Sequence, residues 1–190
     1  MKPIRLILVI AFSCSAFTAV AQDLLKSQPP VWAGQPDITA FEKLENKRLA
    51  QAQSSIDAII AIKGLRTIAN TLAAYDEAVW HINSAAYLAG LMEQVHPDST
   101  LRDHAMAMLS KASAAQSSLS LNRDVYNALA RLDVSQADPG TRYYVQRALL
   151  EFRLAGVNKD DATRARLKQL NEQLTNQESI FNRSIDDDQK

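Results

Sequence analysis

"FRLAGVNKDDATRARLKQL", residues 152–170, holds no histidine, no cysteine and no glycine-rich loop, yet it is the most patterned passage of the chain. A helical run reaches Gly156, which suits a left-handed C-terminal cap because it has no Cβ to clash there. Asn158 to Asp161 then offer side-chain acceptors, and negative charge, to the free amides of a new helix. The stretch reads as a joint between two antiparallel helices. Beyond it, Leu167, Leu170, Leu174, Phe181 and Ile185 recur at helical spacing as one apolar stripe.

Upstream the same rhythm repeats. "DPGT" (Asp138 to Thr141) is a turn, and "RYYVQRALLEFRLA" is the helix that runs into Gly156. A helix over about Thr67 to Val95 carries Ile68, Leu72, Tyr75, Val79, Ile82, Ala86 and Ala89 at steps of four and three. Trp80, Tyr87, Leu91 and Met92 lie partly off that stripe. A helix apolar on more than one face is covered from more than one side, so this one belongs inside a helical stack, with Trp80 and Tyr87 as packing residues. "HPDST" (His96 to Thr100) ends it and offers Asp98 or Ser99 as the next cap. Leu101, Ala105, Met108, Ala112, Ala115 and Leu119 continue the pattern, and "SLNRDVYNALARLD" extends it after a kink. At the front, Thr39 and Glu42 are spaced as a capping box. Phe41, Leu44, Ala52, Ile56, Ile59 and Ile60 follow as a stripe that Gly64 breaks. No segment reads as a strand. The fold class expected is all-α, an antiparallel stack of about five or six helices.

Residues 1–21 read as a signal peptide: Lys2 and Arg5, then "LILVIAFSCSAF", then small residues at Ala19 and Ala21. The apolar run is shorter than the roughly 20 residues that span a bilayer. Export to a periplasm or the medium is the expectation, and Phe12 and Ser13 suit lipid modification of Cys14 poorly. Cleavage leaves no cysteine, and no membrane span, so the mature chain is held by its apolar core. Residues 22–37, with three prolines and no periodicity, form an irregular leader in which Trp32 is a possible anchor. The helical region is then 38–190. Twenty-one basic groups balance 21 acidic ones, and 19 face 21 once residues 1–21 are gone. No field from net charge points to nucleic acid.

Chemistry is hard to find. His81, His96 and His104 are followed by Ile82, Pro97 and Ala105, and no pair has the one-turn spacing with an adjacent Glu that a helical zinc site needs. Asp186 to Asp188 lack the alternating ligands and glycine turn of a calcium loop. Arg164, Arg166 and Lys168 share their helix with Glu172 and Glu178, and no aromatics interleave them, against nucleic-acid binding. "NRS" at Asn182 to Ser184 fits a glycosylation sequon that chance also produces. No catalytic, cofactor-binding or metal-ligating residue is assigned.

The order of features resembles a family. "NTLAAYDEAVWHINSAAYLAGLMEQVHPDSTLRDHA" is similar to the N-terminal part of the thimet oligopeptidase, neurolysin and oligopeptidase A family of zinc metallopeptidases. "SLNRDVYNALARLD" and "TRYYVQRALLEFRLAGVNKDDATRARLKQLNEQLTNQESIFNRSI" resemble its later segments, so the likeness covers about Ile38 to Asp187. It implies a place in a larger, two-lobed helical enzyme that hydrolyses short peptides in a deep channel. There, zinc is held by an H-E-x-x-H helix and a later Glu. This sequence has neither, so the resemblance implies that the chain alone binds no catalytic zinc and lacks a C-terminal catalytic region. The apolar stripe still running into "FNRSIDDDQK" fits that expectation. The other reading is a self-contained exported helical protein that binds a partner or peptide without catalysis.

Overall fold

A computed structural model describes residues 37–188; the leader at 1–21, Cys14 and Trp32 lie outside them. Six α-helices follow one another: α1 (Ile38–Ala61), α2 (Ala73–Val95), α3 (Ser99–Ser120), α4 (Arg123–Ala130), α5 (Pro139–Ala155) and α6 (Asp161–Asp188). No strand occurs among the described residues.

Each helix starts where a side chain can take up a free amide. Asp37 accepts from the Thr39 amide at 2.8 Å, so α1 begins before the expected Thr39 box, and Glu42 turns instead to His104. Thr67 and Asn70 form a reciprocal box that opens a five-residue π-helical turn, Ile68–Leu72, running straight into α2. Asp98 caps α3 and Asp138 caps α5, with Pro139 in the first turn where its missing N–H costs nothing. The expected kink after Ser120 is a full break, because Asn122 accepts from the Asp124 and Val125 amides and starts α4 afresh.

α2 is the centre of the stack. It packs along α1 on one side and α3 on the other, and short connections make successive helices antiparallel. Arg48 in α1 reaches the Ser84 carbonyl of α2 at 3.2 Å, while Ile56 and Tyr75 meet in the core at the other end, which fixes the direction. Ala78, Ala85 and Ala89 on α2, Ala52 on α1, and Ala105 and Ala112 on α3 are all buried. Larger core residues fill both ends of the stack: Ile59, Leu72, Val125, Leu129, Phe152 and Val157 where α4 and α5 close it, and Phe41, Met92, Leu101 and Met108 toward the other end. Tyr75 sits among Tyr144 and Phe152, with ring centres 6.4 and 5.8 Å away. Tyr144 donates to Asp76 at 2.8 Å and so ties α5 to α2.

The joint at 152–170 has the expected form. Gly156 has φ 99°, the Val157 amide returns to the Phe152 carbonyl at 3.0 Å, and Asp160 accepts from the Thr163 amide at 2.8 Å. It turns the chain back along α3 rather than along α5, so the two helices it joins are not each other's main partners. Two arginines fasten it. Arg164 donates to the Leu121 carbonyl at 2.9 Å and to Asp161 at 2.6 Å, and Arg123 of α4 bonds the carbonyls of Val157 and Lys159. A Cβ at Gly156 would lie 2.7 Å from Leu167 Cδ1, in addition to the left-handed backbone. Gly156→Ala is therefore expected to cost about 2 kcal/mol and lower the Tm by roughly 4–8 °C; an unchanged thermal melt would contradict this account of the joint.

Candidate functional site

The titratable groups are placed by packing. His81 is buried on α2, edge-on to the Trp80 ring, with Nε2 4.0 Å from the Glu77 carboxylate. His96 caps the end of α2, and its Nδ1 accepts from the Asp98 amide at 3.1 Å. His104 Nδ1 lies 2.6 Å from Glu42 Oε1, pinning α3 to the start of α1. The three histidines thus serve three separate local roles. Among the described residues no three His, Cys, Asp or Glu side chains converge as a metal-holding group. The side chains of Asn182 and of Asp186 to Asp188 lie outside those described. Of the basic patch, Arg164 is taken up by the joint, while Arg166 and Lys168 face solvent.

One charged side chain is buried, against the expectation for its type. Glu45 is only 1% exposed. It occupies the position one turn after Phe41 on the buried side of α1, so spacing marked it as core while residue type marked it as surface. Arg48 holds its Oε1 at 2.8 Å, and Oε2 finds no donor among the described residues. Burial pushes the Glu45 carboxyl up to about 7, against the opposing pull of Arg48. Burial likewise raises the Tyr75 phenol to about 12, helped by the neighbouring charges of Asp76 and Glu151. The Tyr144 phenol is also raised, by burial first and then by its bond to Asp76.

Two open surfaces involve α2. One is a cleft of 440 Å³ between α2, α3 and α5, with Val79, Ile82, Leu119 and Phe152 forming an apolar floor. Asn83 and Gln116 line it as well, and so does Glu151, which is paired to Arg147. This is the size of a small-ligand pocket; Ser120 also lines it, its hydroxyl donating to the Ser117 carbonyl at 3.0 Å. The other is the outer face of α2. Trp80 is 60% exposed and Tyr87 76%, and Leu91 and Val95 continue the same stripe. These aromatic residues do not pack in the core as the sequence suggested. α1 and α3 occupy the inner side of α2, and no described helix reaches the outer one.

The fold is an all-α helical stack with an open cleft and an exposed apolar stripe. No helix among the described residues is long and apolar enough to cross a membrane. Compared with protein-family models and with curated proteins, the chain matches none.

The buried Glu45 gives a pH test. Between pH 4.5, its ordinary value, and about 7 the folded chain keeps a proton that the unfolded chain has released. Stability contributed by that proton is complete below the window and lost as pH rises through it, by up to about 3 kcal/mol. Glu45→Gln is expected to flatten the wild-type slope over this range in urea titrations, and to be the more stable protein at pH 8. Parallel slopes for the two proteins would contradict the assignment.

Proposed function

We propose that this chain is the N-terminal helical region of an exported zinc oligopeptidase. In this reading the stack is a non-catalytic wall that helps restrict a channel to short peptides, and the zinc ligands lie in a C-terminal region that these residues do not include. The observation that carries it is the outer stripe of α2: Trp80, Tyr87, Leu91 and Val95 form a long apolar face along a well-packed helix. Monomeric soluble domains rarely leave such a face open, and a larger body seated on it removes the cost. The order of helical motifs from Ile38 to Asp187 fits the same division of labour.

The test is made on the native protein. Antibodies raised against residues 38–188 should capture, from the native host's exported fraction, a polypeptide several times longer. It should contain zinc and cleave short peptides in a chelator-sensitive way. The 190-residue chain alone should do neither. Capture of a 170- to 190-residue product without peptidase activity would overturn the proposal in favour of a self-contained helical binding protein. Chelator-sensitive cleavage by the 190-residue chain itself would overturn it from the other side.

A further inference from the structure

The cleft between α2, α3 and α5 combines an apolar floor with polar side chains that the fold itself does not use. Tyr75, Val79 and Asn83 follow one another at one-turn spacing along α2 and line it, with Gln116 contributed by α3 and Glu151 by α5. Phe152 packs on the Tyr75 ring, and Tyr75 is only 9% exposed. Its hydroxyl nevertheless makes no hydrogen bond among the described residues. A hydroxyl on so buried a side chain is ordinarily paired, because stripping its water without replacement is costly. The fully buried side-chain atoms without partners belong to Glu45, His81 and Arg164, so the Tyr75 oxygen is open rather than sealed in. Burial and the charges of Asp76 and Glu151 keep that phenol protonated, which makes it a donor. The Asn83 and Gln116 carboxamides also make no side-chain hydrogen bond among the described residues. Each offers donors and an acceptor.

Charge narrows the choice of ligand. Glu151 is the one ionised side chain of the lining, and Arg147 already pairs with it. An anion would meet that carboxylate with no lining cation to receive it, and a cation would have to compete with Arg147. What remains is a neutral molecule whose body suits Val79, Ile82, Leu119 and Phe152 and whose polar groups both donate and accept. A peptide group does both.

We propose that this cleft binds an uncharged apolar amide, seating one bulky apolar side chain on its floor and bonding the adjoining peptide groups through Tyr75, Asn83 and Gln116. This inference does not rest on the oligopeptidase reading.

The test is an amide chemical-shift titration of the full chain with N-acetyl-phenylalaninamide. Saturable shifts are expected around Val79, Asn83, Leu119 and Phe152, with a dissociation constant of about 1 mM for a ligand of this size. Tyr75→Phe removes only the hydroxyl, and Asn83→Leu only the amide chemistry at similar volume; each should weaken binding about 5-fold, the effect of one lost hydrogen bond. N-acetyl-phenylalanine, an anion, and phenylalaninamide, a cation, should both bind more weakly than the neutral amide. No saturable shift up to about 20 mM, well past that constant, would overturn the proposal. So would unchanged affinity in both variants, or equal or tighter binding of either charged compound. Shifts centred on Trp80 and Tyr87 instead would place the ligand on the outer face of α2 and overturn it as well.

Discussion

Everything in this stack depends on how closely α1 and α3 can approach α2. Ala78, Ala85 and Ala89 put almost no side chain between the backbones, and Ala52, Ala105 and Ala112 answer them from the neighbours. Small residues on facing helices allow axes toward the short end of the usual 8–10 Å. Such a seam buries little apolar area per residue, so it positions the helices more than it stabilises them. The larger burial comes toward the two ends: Phe41, Met92 and Leu101 at one, and Phe152, Leu129, Val125 and Val157 at the other, where the Gly156 joint places the last of these.

The same helix carries the opposite character on its other side. Trp80, Tyr87 and Leu91 lie about half a turn from the alanines, given 100° per residue. One face makes close contact within the chain and the other is apolar and open. The titratable side chains follow a similar logic. Glu45, His81 and His104 each sit beside a charged partner, Arg48, Glu77 and Glu42, and the last pair joins α3 to α1.

Much of the fold was legible in the sequence because helix ends are set locally. Asp98, Gly156 and Asp160 do what their positions foretold, since a cap needs only the amides of its own turn. Asn122 was equally readable as a cap, but the apolar rhythm running past it suggested a continuous helix. The start of α1 shifted for a similar reason: Asp37 outcompeted Thr39 for the first amides. What periodicity could not reveal was which apolar stripes the chain itself covers. The stripe of α2 through Leu72, Tyr75 and Ile82 is buried and the one through Trp80 and Tyr87 is not, although both have helical spacing. The leucine stripe of α6 is likewise well formed and mostly uncovered. Glu45 was missed because its type argues for solvent while its neighbours in space argue for burial.

The most direct measurement is the solvent access of Trp80. A Trp32→Phe chain leaves it as the single tryptophan. Its emission should be that of a water-exposed indole, quenched by acrylamide almost as readily in the folded chain as in urea. A shielded, blue-shifted Trp80 in the folded chain would show that its own helices cover the outer face of α2, and would contradict the scaffold account.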